Sequence, residues 1–148
     1  MIGLLLVSGL AGCKGAAESS VESSDSARTA IAGMIKSQQQ IYASKQKFAT
    51  SIETLMADQA MSESWRAAYQ NNSDGYQYRV EVLPQSVIIS AESVINPSLK
   101  KLVAAAFVAG GKANPQVIVC ESAQPGAAAI NNPVNSETCG ADSVKLPL

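Results

Sequence analysis

Three thiols hold most of the covalent chemistry this chain could do: Cys13, Cys120 and Cys139. A thiolate is a nucleophile, and two thiols in an oxidising compartment pair as a disulfide. An odd number asks which cysteine stands apart. Cys13 lies directly after an apolar run, whereas Cys120 and Cys139 bracket a polar loop near the C-terminus. There is no histidine. That excludes histidine general bases, Ser-His and Cys-His nucleophile pairs, and histidine-ligated metal sites. Lysine and carboxylate chemistry is not excluded, but its candidates are poor. Gly110-Gly111-Lys112 lacks the spacing and the Ser or Thr of a phosphate loop. Glu53 with Asp58, and Glu63 with Asp74, read as surface carboxylates without an evident partner, and no Ser-x-x-Lys sits in a nucleophile context. The expectation is a chain that is not an enzyme and carries no cofactor or metal.

Composition agrees with one modest domain. The chain has 148 residues, 47% hydrophobic and 16% charged, with a net charge of −1, which suits a single small core. Lys and Arg are scattered, so no basic patch offers itself to phosphates. Aromatic content is 5%, too little for a base-stacking surface. Nucleic acid is therefore not an expected partner.

The environment of Cys13 gives it a role. The apolar part of residues 1–12 is about ten residues, short of a bilayer span but the length of a signal-peptide centre. Leu10-Ala11-Gly12-Cys13 resembles the bacterial lipobox. That resemblance implies cleavage before Cys13 and a diacylated sulfur. Small residues before the cysteine fit a tight peptidase site, and the thiol is the nucleophile for lipid transfer. No Lys or Arg precedes the run, and a true start further upstream would supply the missing basic segment. The plainer alternative is a buried apolar helix with an ordinary cysteine. Residues 14–25 are small, polar and Ser-rich, as in a flexible tether, with a frayed helix start as the alternative. The division expected is a lipoprotein-type signal segment over 1–12, a tether over 13–25 and a folded domain over 26–148. In an exported chain Cys120 and Cys139 pair, closing a loop of about twenty residues worth on the order of 3 kcal/mol. Two free thiols are the reading for a cytosolic chain.

The element that must organise the domain is residues 26–48. Ala27, Ile31, Met34, Ile35, Ile41 and Tyr42 recur mostly at steps of three and four, the period of an amphipathic helix. Arg28, Lys36, Gln39, Gln40 and Lys47 mostly fill the other side. Gly33 costs about 1 kcal/mol there relative to alanine, unless it permits close approach of the sheet. Thr50 or Ser51 caps a short second helix with Ile52 and Leu55 inward, and 56–68 stays helix-compatible. Asn71-Asn72-Ser73-Asp74-Gly75 signals a turn. Residues 76–83 alternate as a half-buried strand, and 86–92 form a second strand antiparallel to it. Residues 102–109 and 116–121 read as further strands around Gly110-Gly111, with a short helical turn between 96 and 101. Residues 122–148, rich in Pro, Gly, Ala and Asn, read as a surface tail.

These pieces in order resemble a known family. Gln39-Gln40-Ile41-Tyr42, Phe48-Ala49-Thr50-Ser51-Ile52-Glu53-Thr54-Leu55, Tyr76-Gln77-Tyr78, Ala106-Phe107-Val108, Val117-Ile118-Val119-Cys120-Glu121, Cys139 and Val144-Lys145-Leu146 resemble the soluble domains of cyanobacterial type IV pilin-like proteins, the group called type IV pilin-like G and H. The resemblance implies an α+β fold, a long N-terminal helix laid across an antiparallel sheet with a disulfide-closed C-terminal region. It also implies export, and contacts with other pilin or secretion-system proteins. Pilins begin differently, with a basic leader, then a Phe and an apolar helix of membrane-spanning length with an early Glu. Here the first acidic residue is Glu18. The expectation is an exported, non-catalytic pilin-like lipoprotein, held to a bacterial membrane by lipid on Cys13, in the periplasm or at the cell surface. One alternative is a minor pilin or pseudopilin with a misplaced gene start. Another is a periplasmic ligand-binding lipoprotein using Trp65, Tyr69, Tyr76 and Tyr78, rings that otherwise read as core and edge packing.

Overall fold

The computed structural model describes residues 15–58, 63–110 and 114–148, and the side chains of the first helix from Asp25 onward. Leu10, Ala11, Gly12 and Cys13 lie outside the described residues. Three helices precede five strands: α1 (Gly15–Lys45), α2 (Ile52–Ala57), α3 (Glu63–Gln70), β1 (Tyr76–Leu83), β2 (Ser86–Ser93), β3 (Leu102–Phe107), β4 (Gln116–Ser122) and β5 (Ser143–Lys145). The strands form one sheet in sequence order, each antiparallel to the next.

The main helix starts at Gly15 rather than at Ser26. Residues 15–25, expected as a flexible tether, are thus helical. A Ser-rich composition lowers apolar burial, but serine is only about 0.5 kcal/mol per residue worse than alanine in a helix. No Pro and no further Gly interrupts the stretch before Gly33. The helix ends where expected, at Lys45, and Gln46 adopts a left-handed φ of 56° while its N–H donates to the Tyr42 carbonyl at 2.8 Å.

From Asp25 onward α1 buries Ala27, Ala30, Ile31, Met34, Ile35 and Ile41. Their partners are the helix-facing side chains of the sheet: Val87, Ile89 and Ala91 from β2, Leu102, Ala104 and Ala106 from β3, and Val119 from β4. Alternation puts the intervening residues on the opposite face, where Ile88, Val103, Ala105, Ile118 and Cys120 form a second buried cluster with Phe107, Ile130 and Cys139. The C-terminal region therefore covers the back of the sheet and also adds β5 to its edge. The expectation of a surface tail missed this. Its Pro- and Gly-rich composition carries no period, and covering a sheet with a loop needs none. Residues 97–99 form a turn rather than a helical one.

Gly33 is a site of close approach, but to α3 rather than to the sheet. A Cβ there would lie 2.3 Å from Trp65 Cβ, and Trp65 is fully buried. Gly33→Ala is therefore expected to destabilise. Overpacking costs about 1–3 kcal/mol, and a 2.3 Å approach to the stem of a buried side chain puts this case above the roughly 1 kcal/mol gained in helix propensity. A thermal melt should show a Tm lower by several degrees, and an unchanged or higher Tm would refute the contact.

Gln38 makes the other structural joint of α1. It is buried, its Nε2 donates to the Ala49 carbonyl and its Oε1 accepts from the Ala49 N–H, both at 2.8 Å. This two-point clasp holds the chain as it leaves the helix, so that Phe48 stacks at 4.6 Å on Tyr42. Ser51 then caps α2 by accepting from the Thr54 N–H, with Ile52 and Leu55 buried. Gln38→Ala would leave a buried donor and a buried acceptor unpaired, a loss of about 2–3 kcal/mol. Urea unfolding would check it, with Gln39→Ala, which loses one bond to the Pro115 carbonyl, as the milder comparison.

Candidate functional site

The end of β4 joins the parts of the domain. Its last three residues, Cys120, Glu121 and Ser122, are all buried, and in a strand they point alternately to opposite faces. Cys120 points to the back of the sheet and is bonded to Cys139, with Sγ–Sγ 2.07 Å and Cα–Cα 5.9 Å. The bond pins residues 123–142 against the second cluster. Lys101 holds the same loop from the other side, donating to the Ala128 carbonyl at 2.9 Å and to Glu92 at 2.8 Å. That hydrogen bond and the Lys101 charge hold the Glu92 carboxyl below the usual carboxylate range.

Glu121 points the other way, to α1. Arg28 grips it with two parallel bonds, Nε to Oε2 at 2.6 Å and Nη2 to Oε1 at 2.8 Å. Lys100 stands 3.3 Å from Oε1, and Arg28 Nη1 also reaches Asp25 at 2.9 Å. Glu121 is 2% exposed and Arg28 36% exposed, so the anion is desolvated while the cation keeps contact with water. The hydrogen bond to Glu121 is the main reason the Arg28 pKa is raised. Bidentate geometry of this kind is the strong form of a charged hydrogen bond. Ser122 completes the junction, its Oγ accepting from the Lys101 N–H at 3.0 Å. Sequence reasoning placed Arg28 on the solvent side and gave Glu121 no role. The available signal was an acidic residue ending the apolar run Val117-Ile118-Val119-Cys120.

The other candidates resolve into packing. Trp65, Tyr69, Tyr76 and Tyr78 do come together: Trp65 lies edge-on to Tyr69 at 6.4 Å and Tyr69 meets Tyr78 at 5.5 Å. Trp65 and Tyr76 are buried, and the Tyr76 hydroxyl donates to the Lys100 carbonyl at 2.8 Å. Burial pushes the Tyr78 phenol well above its ordinary pKa. These rings form the wall between α3 and β1, and Tyr69, Tyr76 and Tyr78 also line an open, largely polar cleft of about 450 Å³ with Gln70, Asn72, Gln77 and Arg79. Glu53 and Glu63 sit in the first turns of α2 and α3, where a helix dipole favours negative charge. Asp58 pairs with Lys45 at 3.3 Å. A polar cleft of about 190 Å³ lies between Ala128–Ile130 and Gln77, Arg79, Ser90, Glu92 and Lys101. It is smaller and more polar than the roughly 300–1,000 Å³ sites that bury small ligands. Among the described residues no group of acids and cysteines is placed to hold a metal, and no helix is long and apolar enough to cross a membrane.

The arrangement is a fastening: α1, the sheet and the C-terminal loop are locked together at one strand end. Residues 24–145 match the family described as type IV pilin-like G and H. No curated protein and no solved structure gives a significant match.

Proposed function

We propose a function from one premise: the chain belongs to the type IV pilin-like G and H family. It is a structural domain of pilus or secretion-type machinery, exported and working through protein contacts rather than catalysis. The finer reading is a pilin-like lipoprotein of a cyanobacterial cell. Lipid on Cys13 attaches it to the membrane, Leu10, Ala11 and Gly12 form the processing site, and residues 13–25 are the spacer. As a helix of 1.5 Å per residue, residues 15–25 would hold the domain about 16 Å from the anchor. The observation that carries the reading is the Cys120–Cys139 bond within the family domain. Such a bond persists in oxidising compartments outside the cytosol, which is where a lipobox would send the chain.

The test is the mature N-terminus of the protein isolated from bacterial membranes. Mass spectrometry is expected to find Cys13 as the first residue, carrying a diacylglyceryl thioether, and Cys13→Ala should abolish both processing and membrane retention. An uncut N-terminus with a free Cys13 thiol would sink the lipoprotein reading. One observation favours a second reading. Helix α1 runs without a break from Gly15 into the domain, as the stem of a minor pilin would. Cleavage upstream of an apolar stem, with Cys13 unmodified, would select that alternative.

A further inference from the structure

Strand β1 is the edge of the sheet, and among the described residues no strand pairs with its outer side. Its register with β2 runs unbroken over eight residue pairs, from Tyr76↔Ser93 to Leu83↔Ser86. It has no Pro inside it, no bulge and no positive φ. An edge of this length is normally blunted by one of those devices or by edge charges, because its free N–H and C=O groups template further pairing; here the only charges are Arg79 and Glu81, one of each sign. Nor is its end polar: Val82 and Leu83 are 43% and 37% exposed.

The side chains say what would fit there. Tyr78-Arg79-Val80-Glu81-Val82 is complementary to itself when reversed about Val80. In an antiparallel pair, directly opposite side chains share a face. With Val80 opposite the Val80 of another copy, Arg79 meets Glu81 twice on the back face. Tyr78 meets Val82 twice on the helix face. Arg79 and Glu81 are exposed; Arg79 borders the cleft that Ala128–Ile130 of the C-terminal loop also line, and Glu81 lies beyond it. Opposite charges and aromatic–β-branched pairs are the favourable cross-strand combinations. A register shifted by two residues would lose the charge matching.

We infer that the outer edge of β1 pairs antiparallel with the same edge of a second copy of this chain, with Val80 at the two-fold centre. The pairing also has a direction. Arg28 of α1 meets Glu121 at the end of β4, and Gln39 meets Pro115 just before its start. So α1 runs against β4 and therefore along β1. The two-fold sends the N-termini of the two copies in opposite directions. On the anchored reading above, this joins copies on facing surfaces rather than neighbours on one surface.

The test uses the full chain in mild detergent with Cys13→Ser, which makes it independent of the lipid. Val80→Cys is expected to give a covalent dimer on mild oxidation, since opposite residues lie about 4.5–5.5 Å apart, within disulfide reach. Val144→Cys, exposed on the opposite edge strand, should stay monomeric. In the Val80→Cys background, Arg79→Glu alone and Glu81→Arg alone each set like charges opposite one another. Each should lower crosslinking on the order of tenfold. Mixing the two single variants restores both charge pairs and should restore the dimer. Equal crosslinking at positions 80 and 144, no crosslinking at 80, or a mixture no better than its components would each overturn the pairing. In the last two cases the edge would be left to a strand of a different protein.

Discussion

Arg28→Met is expected to cost about 3 kcal/mol of folding stability, and more than the loss of its partner's charge. The reason is the unequal burial of the pair. Glu121 is 2% exposed and Arg28 36% exposed. Removing the cation leaves a desolvated carboxylate with only Lys100, at 3.3 Å. Removing one member of a buried pair typically costs about 3–5 kcal/mol, and the remaining lysine puts this case at the low end. Glu121→Gln leaves an amide that still accepts one bond from Arg28. The guanidinium keeps Asp25 and water, so the expected loss is about 1 kcal/mol. The double variant Arg28→Met/Glu121→Leu should recover most of the stability, because apolar groups of similar volume often replace a buried pair without loss. Chemical unfolding at neutral pH would measure all three. If Glu121→Gln proved as costly as Arg28→Met, the burial argument would fail. Hydrogen exchange would locate the damage. Protection should drop first around residues 25–31, where α1 leaves the sheet on its way to the N-terminus.

The contrast between what could be read in advance and what could not follows the range of the interactions. The strands β1 to β4 and the apolar stripe of α1 were legible because alternation and the three-to-four period are local. The cap at Ser51 was legible for the same reason, since its partner is Thr54, three residues on. Arg28 and Glu121 are separated by 93 residues, and Gln38 meets Ala49 across a chain reversal. No spacing rule connects such pairs. A polar residue on a helix faces solvent unless another element supplies a matching partner, as β4 does for Arg28. Gly33 marks a close approach, but a glycine does not name its neighbour, which is α3 rather than the expected sheet. Trp65 could be identified only in three dimensions. The helical start at Gly15 went unseen because serine-rich sequence fits a helix and a tether almost equally well in free energy. The disulfide was the exception among long-range contacts, since two cysteines in an exported chain have few other partners.

Reducing the Cys120–Cys139 bond, or replacing both residues with alanine, is expected to cost about 3 kcal/mol. The closed loop has a sequence separation of 19, and in the chain-entropy account a loop of that size restricts the unfolded chain by about that amount. The loss should also have a location. Residues 123–142 contain no regular element and cover Ile88, Val103, Ala105 and Ile118 through Ile130 and Cys139. Without the bond they are held by Lys101, by the Ala123 N–H bonded to the Asp142 carbonyl, and by three residue pairs of β5. Such contacts open at a small fraction of the global free energy. The reduced protein should therefore bind an apolar dye and be nicked by protease within 123–142. The core between α1 and the sheet should meanwhile keep its protection. Thermal and urea unfolding with and without reductant, followed by mass mapping of the first cuts, would check both halves. Equal stability in the two redox states would remove the disulfide as a structural element. A first cut in α1 rather than in the loop would mean that the back of the sheet is held by something other than this bond. The expected result ties the fold to its compartment: the back of the sheet stays covered only where Cys120 and Cys139 remain oxidised.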